Sequence, residues 1–159
     1  MSSDLLHGEV LVGFVVSLVA IAIHAVMMAV LVRTAHRTSH LTRAAHPQLR
    51  LIVLMWATVT VLMFAHLSEV LVWGAVYDLL GAVPHGAESF YFAFVNYTTL
   101  GYGDIVPATR WRLLGPLTAM NGVLLFGWST AVMYDILRTV AHVIPLTGAA
   151  VRVGANEKN

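Results

Sequence analysis

The sequence predicts an all-α membrane protein with three transmembrane helices and a half-length re-entrant helix between the second and third. Three observations predict it. The 159-residue chain is 58% hydrophobic and only 11% charged, where a soluble domain carries about 25% charged residues. Three long runs, Val10 to Val32, Leu51 to Trp73 and Leu113 to Tyr134, hold no formal charge apart from Glu69. A short aromatic run, Ser89 to Tyr97, interrupts the segment between the second and third.

Each long run exceeds the roughly 20 apolar residues that cross a ~30 Å hydrocarbon core as a helix. Only helices and closed barrels satisfy their backbone there, and the alternation of barrel strands is absent. None of the runs shows the polar stripe of a soluble bundle helix. The first is read as a retained helix, residues 10–32, and not as a signal peptide. The stretch before it, residues 1–9, carries Asp4 and Glu9 but no Lys or Arg, and its apolar core outruns an h-region.

Residues 33–50 form a basic loop with Arg33, Arg37, Arg43, Arg50, His36, His40, His46 and no acid. Positive loops stay cytoplasmic. The N-terminus and residues 74–112 are then outside, and the short tail, 138–159, is inside. Arg110 and Arg112 oppose this orientation but are outnumbered. The loop suits contact with anionic membrane lipid; pH sensing and zinc binding by its histidines are weaker readings. The absence of any organelle signal and the small size point to a prokaryotic plasma membrane.

Composition also excludes. A net charge of +1 is no footprint for nucleic acid. Without cysteine there is neither disulfide nor thiolate metal site. No phosphate loop, nucleophile–base pair or acid pair suggests an enzyme, and no cofactor is expected. The tail is too short for a ligand-binding gating domain.

The segment 74–112 is too long for a plain connection. Within it, residues 88–98 read as a helix with Glu88 at its N-terminus, where a negative charge suits the dipole. Such a helix reaches only about 16 Å, half a bilayer, which suggests a re-entrant element. Irregular backbone at that depth is tolerated only inside protein or beside a water-filled cavity.

That irregular backbone is Thr98-Thr99-Leu100-Gly101-Tyr102-Gly103-Asp104. Here the chain resembles the potassium channel family, whose filter pattern is T-x-G-Y-G, commonly preceded by Thr and followed by Asp. Ile105-Val106-Pro107 is similar to the family's exit from the filter, and the resemblance covers residues 88–135. It implies a pore domain over 51–137: outer helix 51–73, pore helix 88–98, filter 99–103 and inner helix 113–137. Stacked backbone carbonyls replace the water a potassium ion sheds. One chain offers one carbonyl per level, so four chains are needed and a homotetramer is expected. The resemblance assigns K+ coordination to Thr99, by carbonyl and hydroxyl, and to the carbonyls of Leu100, Gly101 and Tyr102. Gly101 and Gly103 can take the positive φ that turns successive carbonyls to one axis. The Tyr102 ring is expected against the pore helix, and Asp104 at the outer mouth, concentrating cations.

Departures from the family are Leu100 for the usual Val, Val95 where some relatives carry Glu, and Phe92 and Phe94 where many carry a Trp pair. The function implied is passive K+ conduction; the alternative is a less selective cation pore or a subunit of a larger transport assembly.

Further candidates follow from position. His66 and Glu69, three apart in the second run, are candidates for bonding to the back of the pore helix or for pH sensing. Gly122 and Gly127 in the third run are candidate hinges or sites of close helix contact. Thr118, Asn121 and Ser129 are expected to face an aqueous cavity, and Asp135 to pair with Arg138. His24, alone in the first run, is read as a neutral histidine bonded to a neighbouring helix.

Overall fold

Four α-helices follow one another: α1 (Ser3–Leu41), α2 (Pro47–Leu79), α3 (Ala87–Tyr97) and α4 (Leu114–Val143), with a 3-10 turn at Thr109–Trp111 before α4. The computed structural model describes residues 3–41, 47–84 and 87–143. No strand occurs among them. The protein is an all-α membrane protein.

The helices overrun the apolar runs. α1 has 39 residues, about 58 Å at 1.5 Å each, far more than a ~30 Å hydrocarbon core requires. Apolar runs mark where a helix is compatible with lipid; they do not mark where helical hydrogen bonding stops. Residues 33–41 contain neither Gly nor Pro, so α1 continues through its charged end. Glu9, read from sequence as flanking the span, lies inside α1 and is buried. α2 starts at Pro47, a first-turn position where the missing N–H is no loss. It runs past Trp73 until Gly81, with φ 56°, closes it. There Ala82 N–H donates to the Tyr77 carbonyl at 3.0 Å and Gly81 N–H to the Asp78 carbonyl at 3.1 Å. This is the paired C-terminal bonding that a left-handed residue permits.

α1 over His7–Ala35 and α2 over Leu51–Leu79 are long and apolar enough to cross a membrane. α4 has the length, 30 residues, but Thr118, Asn121, Ser129 and Thr130 make it less apolar. Large apolar side chains such as Leu11, Phe14, Val26, Trp56 and Phe64 are exposed along α1 and α2. Water would not tolerate such continuous apolar faces; lipid or a neighbouring subunit does.

Two clusters hold the helices together. One, around Trp73, Tyr77, Phe92, Ala93, Tyr97 and Leu114, packs α3 between α2 and α4, with Val16 of α1 at its edge. The other, Met28, Leu31, Leu62, Ala65 and Ile136, joins the far halves of α1, α2 and α4. At the α3 end, Glu9 Oε2 accepts the Leu113 N–H at 2.9 Å. A carboxylate thus caps the start of α4, where free amides and the dipole favour it. The expected pair of Asp135 with Arg138 is not formed: the ion pairs among the described residues are His24–Glu69 and His66–Glu69. The readings placed on Arg43, on His46 and on the side chains of His36, His40 and Arg50 fall outside the described residues, as does the tail from residue 144.

Candidate functional site

The site is built on α3, eleven residues long, too short to cross a bilayer. Two glycines let neighbours reach it. A Cβ on Gly74 of α2 would collide with the Phe90 ring, and one on Gly122 of α4 would fall well inside contact with the Tyr97 carbonyl oxygen. Asn96 Nδ2 donates to the Phe92 carbonyl at 2.8 Å, keeping a polar side chain on the helix's own backbone.

The chain leaves α3 through a sharp left-handed residue, Thr99, with φ 59°. Thr99 N–H donates to the Asn96 carbonyl at 2.9 Å and Leu100 N–H to the Val95 carbonyl at 2.9 Å. A β-branched residue in this region is strained, and such strain concentrates at functional segments. The next positive values are at Gly101, 57°, and Gly103, 75°. Every second residue from 99 to 103 is therefore left-handed, with Leu100 and Tyr102 at ordinary negative φ between them. Alternation of this kind turns successive carbonyls toward the same side, which a uniform strand does not do.

Residues 99–104 are all exposed in the single chain. Tyr102 is 68% exposed in the single chain. Asp104 is held at the far end: Tyr91 Oη donates to its Oδ2 at 2.7 Å and Ile105 N–H to its Oδ1 at 3.1 Å. Its carboxylate, as the hydrogen-bond acceptor, lifts the Tyr91 hydroxyl above the ordinary tyrosine range. Ala108 N–H donates to the Ala82 carbonyl at 2.8 Å, tying the chain beyond Asp104 to the end of α2.

Behind α3 lies a buried polar cluster. His66 and Glu69 both reach the Tyr97 hydroxyl: His66 Nδ1 at 2.9 Å, while Tyr97 Oη donates to Glu69 Oε2. Tyr97 belongs to the aromatic run but carries a role that sequence reasoning did not single out. Its only signal there is a hydroxyl on the last residue of the short helix. His24 joins from α1, with Nδ1 2.8 Å from Glu69 Oε1. Ser129 joins from α4, with Oγ 3.0 Å from His66 Nε2 and 3.3 Å from His24 Nε2.

Three polar residues of α4, Thr118, Asn121 and Ser129, are buried inside the chain. Thr118 is fully buried and its hydroxyl donates to the Leu114 carbonyl at 2.8 Å, so Tyr77 Oη donates to Thr118 Oγ1 at 2.6 Å. Asn121 Oδ1 accepts from Trp73 Nε1 at 3.1 Å. The expectation that Thr118, Asn121 and Ser129 face water is overturned because α2 offers each a partner, and a buried polar group takes the partner available. The opposite stripe, Met120, Val123, Gly127, Thr130 and Tyr134, is exposed. No neighbour lies within 4 Å of where a Gly127 Cβ would stand.

A family model described as "Ion channel" matches residues 65–139, from the middle of α2 to near the end of α4. Over 65 residues the chain is 35% identical to two-pore potassium channel 4 of Arabidopsis thaliana, covering 40% of this chain and 21% of that protein. The match thus spans about a fifth of that relative's length. No solved structure matches the chain.

Proposed function

We infer that this chain, whose residues 65–139 belong to the ion-channel family, is one of four identical subunits of a potassium-selective pore. The observation that carries the inference is the alternating backbone of Thr99, Gly101 and Gly103 on a T-T-L-G-Y-G-D segment following a half-length helix. Four such segments around an axis give stacked rings of oxygen: the Thr99 hydroxyl and carbonyl, then the carbonyls of Leu100, Gly101 and Tyr102. A potassium ion exchanges its hydration shell for these rings at little net cost. Four Asp104 carboxylates at the mouth raise the local cation concentration. α3 turns its C-terminal end, with its partial negative charge, toward the ion path. Full exposure of residues 99–104 in the single chain supports a ring of chains, because irregular backbone at membrane depth needs protein or a water-filled lumen beside it.

The test is conduction in liposomes of defined composition, with the particle mass measured in detergent. The expected result is a four-chain particle whose reversal potential follows the potassium gradient and ignores a sodium gradient. A reversal potential indifferent to which of the two ions is graded would favour the less selective cation pore.

In the same reading the exposed stripe of α4 lines the water-filled cavity below the filter. The chain has no cysteine, so single substitutions report cleanly. Thr130→Cys and Val123→Cys are expected to react with a charged, membrane-impermeant thiol reagent and to block flux. Thr118→Cys, on the buried face, is expected to stay unmodified. The reverse pattern would turn α4 by half a turn and remove the stripe from the pore.

The basic loop sets the orientation: N-terminus and filter mouth outside, residues 33–50 and the tail in the cytoplasm. Glu9, Leu113, Ala82 and Ala108 gather at one end of the bundle, which agrees with α1 and α4 entering from the same side.

A further inference from the structure

We propose that His24, His66 and Glu69 form a buried site for one divalent transition-metal cation of the zinc class, with the Tyr97 hydroxyl as fourth donor. The site lies apart from the ion path and pins α1, which a minimal pore does not need, to the back of α3.

The first argument is geometric. One donor atom from each of His24, His66 and Glu69 falls within 4.8 Å of the others. His24 Nδ1 is 2.8 Å from Glu69 Oε1 and His66 Nδ1 is 3.1 Å from Glu69 Oε2. Donors around a tetrahedral zinc ion at about 2.0–2.1 Å stand roughly 3.3 Å apart. A small outward movement of each side chain opens the centre. Two imidazoles and a carboxylate are the ligand types this class of metal selects. His24 and Glu69 are fully buried, so bulk water does not compete.

The second argument is a proton count. Both Nε2 atoms face one hydroxyl, Ser129 Oγ, which has one proton and two lone pairs. If both rings are neutral and protonated at Nδ1, two bare Nε2 atoms compete for that single proton and one contact is left unmade. If both are protonated at Nε2, the two N–H groups donate to the two lone pairs of Ser129, and every contact there is satisfied. In that state the two Nδ1 lone pairs converge with the Glu69 carboxylate, acceptors facing acceptors, and a cation fits between them; without one the mixed neutral state holds, His24 donating from Nδ1 to Glu69 and accepting from Ser129 while His66 donates from Nε2 to Ser129. Metal-bound histidines characteristically donate their far N–H to such an outer acceptor. A metal on the Nδ1 atoms uses these lone pairs at once, and the negative Glu69 offsets part of its charge in this buried place. The competing arrangement holds no ion: in the mixed neutral state His66 Nδ1 and Glu69 Oε2 share the single Tyr97 proton.

The experiment uses the full chain purified in detergent, stripped with a chelator and titrated with Co2+ and Zn2+. The expected result is one metal per chain by elemental analysis and visible d–d bands of a tetrahedral cobalt centre. Zn2+ should raise the thermal midpoint of the stripped protein. His24→Gln should weaken Co2+ affinity by more than about 100-fold, and Ser129→Ala by roughly 10–100-fold, the range for loss of an outer-shell partner. If His24→Gln does not fold, the titration of the unsubstituted chain still decides. No stoichiometric metal, no d–d bands and an unchanged midpoint would overturn the proposal and leave a hydrogen-bonded cluster of neutral histidines in the centre. Because metal is read and not ion flux, this outcome is independent of whether the pore prefers potassium.

Discussion

Gly101→Ala and Gly103→Ala are each expected to abolish potassium-selective conduction while the four-chain particle still assembles. Both glycines sit at left-handed φ, 57° and 75°. A Cβ at either meets nothing within 4 Å of its own chain, so the penalty within the chain is conformational and not a clash. An L-residue pays roughly 1–2 kcal/mol there, and four chains multiply it to about 4–8 kcal/mol per ring. The segment has a cheaper way out. It is exposed, and the carbonyls of Leu100 and Tyr102 precede the two glycines directly. A rotation of the peptide relieves the strain by turning one ring of oxygens off the axis. Selectivity fails because the dehydrated ion has lost a level of ligands; assembly survives because α3 and the helix contacts are untouched. Flux with the potassium preference of the unsubstituted protein, in either variant, removes residues 99–103 from the ion path.

The physical reason for choosing these two over other glycines is the company they keep. Thr99 already carries positive φ despite its branched side chain. The main chain is therefore held in alternation by the end of α3, through the amides of Thr99, Leu100 and Gly101, and Gly103 extends that pattern beyond the reach of the helix. Asp104, fixed by Tyr91 and its neighbour's amide, ends it.

What the sequence made legible was local. The half-length helix followed from an aromatic run behind Glu88. The irregular backbone followed from the T-T-L-G-Y-G-D resemblance, with Gly101 and Gly103 two positions apart. What remained hidden depended on partners distant in the chain. His24 reads as bonded to a neighbouring helix, but the partner stays hidden because Glu69 is 45 positions away. Thr118 and Asn121 read as water-facing because their bonds to Tyr77 and Trp73 span one whole connection. Periodicity finds the face of a helix that is different; it does not say whether water or another helix satisfies it. Glu9 was invisible as a cap for the same reason, since Leu113 is 104 positions on. The helix ends were missed on other grounds: charged residues end a membrane span but do not break a helix.

Gly122→Ala is expected to lower the thermal midpoint of the assembled protein by roughly 5 °C or more, whereas Gly127→Ala leaves it unchanged or slightly raised. The two glycines lie on the same helix and differ only in what faces them. At Gly122 an added Cβ would stand 3.0 Å from the Tyr97 carbonyl carbon and closer still to its oxygen. That atom is backbone, at the end of α3, and the same residue's hydroxyl is held by His66 and Glu69. Tyr97 therefore has little room to move, and α4 must back away. Overpacking of this kind costs typically 1–3 kcal/mol in one chain, repeated four times in the proposed assembly. At Gly127 nothing is near, and alanine gains up to about 1 kcal/mol of helix propensity. Gly13 gives an intermediate comparison, because the nearest atom its Cβ would meet is the far end of the Leu117 side chain, which can change rotamer. A Gly122→Ala protein as heat-resistant as the Gly127→Ala protein would mean that α4 does not approach α3 this closely. The hinge reading of Gly122 would then stand in its place, since a bend, unlike a contact, shows itself in gating and not in melting.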